Sequence, residues 1–112
     1  MKNMDPNNNL EQEIFQIISH AGTARSFAYE ALQAAEDFDF LKADELLKQS
    51  EEELAEAHKT QTQLITAELN GEKLEKSLLL IHAQDHLMTA ISEQKLIERI
   101  IRLTKKLREK TS

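Results

Sequence analysis

Residues 82 to 86 read His-Ala-Gln-Asp-His, and three of these five side chains can carry out chemistry. On a helix, spacings of three and four place His82, Asp85 and His86 on one side. A neutral imidazole nitrogen is nucleophilic at physiological pH and can accept a phosphoryl group as a labile phosphoramidate. The same three residues could instead ligate a metal, although one helical turn rarely encircles an ion and a structural zinc takes four ligands. Oligomerisation changes that count: one Asp85 from each copy, converging on a symmetry axis, would supply the oxygen ligands that Mg2+ or a similar hard cation requires. A third reading is a hydrogen-bonded polar layer inside a bundle. Residue types alone leave all three open.

Composition narrows the chemistry. The chain has no Cys, which excludes a disulfide framework, a thiolate metal site and a cysteine nucleophile. Its only glycines are Gly22 and Gly71, so there is no glycine-rich loop to cradle a nucleotide, and any phosphoryl donor is expected to be another phosphoprotein. A formal net charge of -6 disfavours nucleic acid as a partner. The charge is uneven, with net +5 over residues 95–112 and net -11 over residues 1–94, and the basic end complements the dipole of a final helix. No run approaches the roughly 18 to 20 apolar residues of a membrane span, and Met1 to Glu11 does not read as a leader peptide. Direct membrane insertion is therefore not expected, and the chain reads as cytoplasmic. Gln84 and Gln61 carry amides that could donate to phosphate oxygens. His20 reads as a solvent-edge or packing residue, and Arg25 and Ser26 as structural. His58 is expected to face the bundle, within reach of a site on a neighbouring copy.

The elements that must position these groups are helices. A chain of 112 residues with 40% apolar and 30% charged residues is one small folded domain, and two Gly and one Pro leave little turn chemistry for β-hairpins. Residues 1–9 are polar, with a Pro and an Asn run, and read as a disordered lead-in to a domain over 10–112, with Asn9 as helix cap. From Leu10, the residues Ile14, Ile17, Ile18, Ala21, Ala24, Ala28, Ala31, Leu32 and Ala35 recur at helical steps and predict a first helix ending near Asp37–Phe40. Asp39 is placed to cap a second helix over about Leu41–Leu69, with Ala43, Leu46, Leu47, Leu54, Ala57, Leu64 and Ile65 inward. Asn70-Gly71 ends it, and a third helix runs over about Glu75–Lys110. Short connections impose an antiparallel up-down-up three-helix bundle. Leu78 to Ile81 are apolar in every direction around the axis, more than one bundle can bury, which predicts a homo-oligomer with the third helix at its centre.

Three stretches stand in the order and spacing of a known family: Ala21-Gly22-Thr23-Ala24-Arg25-Ser26, Ala57 to Ile65, and His82-Ala83-Gln84-Asp85-His86-Leu87-Met88. Over about residues 10 to 110 the chain resembles the lactose/cellobiose-type enzyme IIA components of the bacterial sugar phosphotransferase system. That resemblance implies a homotrimer of three-helix bundles, a phosphotransferase that takes a phosphoryl group from HPr and passes it to a cysteine of a IIB component. It implies that His82 is the phosphorylated residue, and that Asp85 binds one divalent ion per trimer on the axis, Mg2+ being the expected one. His86 and Gln84 then read as supporting groups that orient or neutralise the phosphate. The transported disaccharide is not legible, because lactose and cellobiose branches share these motifs. The alternative is a non-catalytic helical oligomer that uses metal for assembly. One departure stands out: the family commonly has Gly-Asp-Phe at the first turn, where this chain has Phe38-Asp39-Phe40. A Phe forced to positive φ is strained.

Overall fold

The computed structural model describes residues 6–74 and 77–111, with side chains from residue 9 onward. Among them are three helices, α1 (Pro6–Glu36), α2 (Phe40–Leu69) and α3 (Leu78–Thr111), and no strand. The expected helix count and both turns hold. The expected lead-in does not extend to residue 9, because α1 begins at Pro6 and Asn9 lies inside it rather than capping it. Pro suits a first helical turn, where its fixed φ is already helical and its missing N–H has no partner to lose. Residues 1–5 lie outside the described residues, as do Glu75 and Lys76, the expected start of the third helix.

Cross-helix bonds define the directions. His20 meets Glu53 and Ser50 meets Ala24, so partners on α2 move back as those on α1 advance, and the two helices are antiparallel. Arg25 meets Thr89 and Tyr29 meets Glu93, both at a separation of 64 residues, so α1 and α3 are parallel. α1 packs along both other helices, whereas α2 and α3 meet far less.

The contact face of α1 is built from small residues. Ile17, Ala21, Ala24, Ala28, Ala31 and Ala35 are fully buried, which lets the helix axes approach closely. One apolar cluster joins Ile14, Ile17, Ala21 and Ala24 to Leu54, Ala57 and Leu64 of α2 and Ala83, Leu87 and Ala90 of α3. A second joins Ala28 to Ala35 with Ala43, Leu47, Ile97 and Ile101. Beside them the buried Ser50 hydroxyl donates to the Ala24 carbonyl at 2.8 Å, so its polar group is not left unpaired. Ile65, expected inward, is instead 46% exposed, because Leu64 already fills the inward position of that turn.

Helices α1 and α2 end in the same closure. After α1, Phe38 N–H donates to Ala35 O and Asp39 N–H to Ala34 O, each at 2.9 Å; after α2, Gly71 N–H donates to Glu68 O and Glu72 N–H to Ala67 O, each at 3.1 Å. This closure needs a left-handed residue at its centre. Gly71 supplies it at φ 97°, while Phe38 is forced to φ 61°. The guanidinium of Arg108 lies over the Phe38 ring, 4.2 Å from its centroid, and offsets part of that strain. Asp39 then caps α2, accepting from Lys42 N–H as its position suggests.

Candidate active site

Ser77 accepts a hydrogen bond from the Leu80 N–H at 3.1 Å, which starts α3 one turn before His82. Ala83 and Leu87 are buried and orient this stretch, so the residues between them fall on defined sides of the helix. His82 is exposed, His86 is half-buried, and their rings lie nearly parallel at 8° with centroids 5.9 Å apart. Asp85 is exposed on the outer side. The structure thus brings His82, Asp85 and His86 to one region of α3.

His86 leans on α1. A Cβ added at Gly22 would sit 3.5 Å from His86 Nε2, so glycine leaves the ring room to lie against the α1 backbone. Burial lowers the His86 pKa below its ordinary 6.5, Arg25 and His82 lower it further, and Asp85 and Glu93 oppose them. At neutral pH the ring is therefore uncharged, with one N–H to donate and one nitrogen to accept.

Beneath His86 runs a ladder that the residue types did not announce. Arg25 Nη2 donates to Thr89 Oγ1 at 2.7 Å, and the Thr89 hydroxyl lies 3.0 Å from the carbonyl oxygens of both Asp85 and His86. Arg25 Nε is 2.5 Å from Glu93 Oε1, an ion pair rather than a well-directed hydrogen bond. Tyr29 donates to the other Glu93 oxygen at 2.7 Å, and that carboxylate holds the phenol above its ordinary range, so the proton stays on Tyr29. Gly22, Arg25 and Tyr29 on α1 thus face His86, Thr89 and Glu93 on α3, at one shared offset. A signal was available, since both trios carry the same three-then-four spacing, but only the parallel register of α1 and α3 pairs them.

Other expected site residues fall elsewhere. Residues two apart on a helix point in nearly opposite directions, and Gln84 accordingly faces α2, where it accepts a hydrogen bond from Gln61. Within one chain neither amide accompanies His82. His58 is exposed and does not face the bundle, because its neighbour Ala57 takes the buried position. His20 Nδ1 lies 2.7 Å from Glu53 Oε1, across the α1–α2 seam, and plays the packing role expected of it. Ser26 is exposed.

An exposed imidazole beside an uncharged partner ring can accept a small electrophilic group and surrender it again. On an all-helical domain such a pair suits a carrier that relays a chemical group from one protein to another. The chain belongs to the family "PTS system, Lactose/Cellobiose specific IIA subunit", whose profile matches residues 12–105, and it is accordingly an enzyme IIA component of a sugar phosphotransferase system. The lichenan-specific phosphotransferase enzyme IIA component of Bacillus subtilis (strain 168) is 48% identical over 103 residues, 92% of this chain and 94% of that one. A crystal structure of the cellobiose-specific enzyme IIA from Bacillus anthracis superimposes with a TM-score of 0.88 at 48% identity, covering 98% of this chain and 96% of the other. The IIA(chitobiose)–HPr complex of the N,N'-diacetylchitobiose branch of the Escherichia coli phosphotransferase system matches with a TM-score of 0.76 at 42% identity, covering 88% and 96%. These findings do not favour the alternative of a non-catalytic helical oligomer that uses metal for assembly. Among the described residues no helix is long and apolar enough to cross a membrane.

Proposed function

We propose that His82 is the phosphoryl-accepting residue of this IIA component, and that a cytoplasmic phospho-HPr is its donor and a IIB cysteine its acceptor, during uptake of a lactose/cellobiose-type disaccharide. The observation that carries this reading is the pairing of an exposed His82 with a parallel, half-buried His86 that burial keeps uncharged. A neutral His82 nitrogen attacks the phosphorus of the donor phosphohistidine in line. The new N–P bond forms as the donor's N–P bond breaks, and the donor imidazole leaves with that electron pair. In the second transfer a thiolate sulfur displaces His82 in the same way. Little covalent assistance is needed, because the donor phosphoramidate is already energetic; positioning and charge compensation do the rest. His86 supplies an N–H toward the phosphoryl oxygens without adding a cation that would have to be desolvated.

Three copies complete the molecule. Along α3, Leu78, Ile81, Met88, Leu96, Leu103 and Leu107 are each more than half exposed, and with Asp85, Ser92 and Arg99 they recur at steps of three or four as one outer stripe. A stripe of that length covered by two other copies makes a trimer around α3. Asp85 then approaches its symmetry mates. Among the described residues of one chain, no group of three or more His, Asp or Glu side chains could hold a metal ion; an ion at Asp85 would take one carboxylate from each copy. Carboxylate oxygens suit Mg2+, and such an ion would relieve the repulsion among three like charges. Incubation with a phosphoenolpyruvate-driven donor relay is expected to add one group of about 80 Da per chain, labile in acid and stable in base. A chain that takes no label contradicts the proposal.

A further inference from the structure

We propose that Arg25 is a positioning residue for phosphoryl transfer: braced by Glu93, its guanidinium holds the Thr89 hydroxyl on the carbonyls of Asp85 and His86, and so sets the angle at which α3 presents the His82–His86 turn. The proposal rests on the phosphocarrier reading and assigns a role to residues outside the His-Ala-Gln-Asp-His segment.

Arg25 Nη2 reaches Thr89 Oγ1 at 2.7 Å, and that oxygen lies 3.0 Å from both carbonyls, so the guanidinium connects to the backbone of the active turn through one atom. Glu93 braces the guanidinium, lying 2.5 Å from Nε and itself held by Tyr29 at 2.7 Å. One turn earlier on the same face, Gly22 leaves the space into which His86 fits. The alanine-rich seam already joins α1 to α3 without the clasp. Half-exposed ion pairs add little to stability, and what this one adds is register: a rotation of α3 about its axis would break the Thr89 contact and turn both imidazoles with it.

The test is single-turnover transfer from phospho-HPr at a series of donor concentrations, with thermal melting of each variant. Arg25→Lys keeps the charge but loses the fork, and Thr89→Val removes the hydroxyl at nearly constant shape. Each is expected to lower the maximal transfer rate about tenfold with the half-saturating donor concentration unchanged, the pattern of a misaligned reacting group. Thr89→Ser restores the rate, and the double variant is no slower than either single, since both cut one linkage. Lys105→Gln breaks the α3 ion pair to Asp44 at the far end of the bundle and is expected to leave transfer unchanged. Wild-type rates in both Arg25→Lys and Thr89→Val, or an equal loss in Lys105→Gln, overturn the proposal while the phosphocarrier reading stands. A wild-type chain that takes no label overturns that reading itself, and the proposal with it.

Discussion

His82 and His86 lie four residues apart yet meet different surroundings, one open to solvent and the other leaning on Gly22. That contrast makes their substitutions separable: His86→Ala is expected to slow labelling at His82 without eliminating it, as a rate measurement on the variant would show. The lowered His86 pKa also fixes a pH dependence of stability. Below its ordinary pKa of 6.5 the unfolded chain takes up a proton at this position that the folded chain resists. This contribution is therefore fully present above 6.5, and is lost as the pH falls through the lowered pKa of the fold. Melting curves from pH 7.5 to 5.5 should drop more steeply for the wild type than for His86→Gln; equal slopes would contradict the assignment. At this scale the sequence was informative where chemistry follows from local spacing. His82, Asp85 and His86 share a region because three- and four-residue steps dictate it, whereas the Arg25–Thr89–Glu93 clasp depends on the register between helices 64 residues apart. The Gln84 amide, expected to donate to phosphate oxygens, is turned toward Gln61 within its own chain, because an offset of two residues from His82 directs it to the other side of the helix.

Among the elements, the two closures form a natural comparison. Phe38 holds a left-handed conformation that costs about 1 to 2 kcal/mol in a residue with a side chain, and its stack with Arg108 returns roughly 0.5 to 1 kcal/mol. Phe38→Ala keeps the strain and loses the stack, so it is expected to destabilise by about 1 kcal/mol in denaturant unfolding. Phe38→Gly removes both and should lie closer to the wild type. Gly71→Ala, at φ 97°, should cost about 1 kcal/mol with nothing to offset it. If Phe38→Gly were the less stable of the two Phe38 variants, strain at this turn would not be significant. Helix spans were legible because the alanine and isoleucine steps of α1, the Asp39 cap and Asn70-Gly71 are all local signals. The start of α1 was not, since an Asn run disfavours a helix that Pro6 nevertheless initiates. Nor were the sides taken by Ile65 and His58, which sit beside the buried Leu64 and Ala57 and yield the inward positions to them.

For the whole molecule, the outer stripe of α3 is the feature a single chain leaves unexplained, and the four-residue apolar run at Leu78 announced it in the sequence. Two of those four, Leu79 and Leu80, pack against the core, while Leu78 and Ile81 are 84% and 61% exposed. Light scattering should give about three times the chain mass of 12.8 kDa. If three copies share an ion at Asp85, chelator should loosen the assembly by exposing the mutual repulsion of the three carboxylates. Asp85→Leu removes repulsion and ligand together, so the trimer should persist with no bound metal; stoichiometric metal in that variant would contradict the axial assignment. The central claim concerns a single imidazole on this assembly. Its most direct test is peptide-mapped phosphorylation of the wild type and His82→Ala, each first confirmed as helical and of unchanged oligomeric mass. The account predicts one acid-labile phosphoryl group per wild-type chain, mapped to His82, and none on His82→Ala, whereas full labelling of His82→Ala, at His86 or elsewhere, would contradict it.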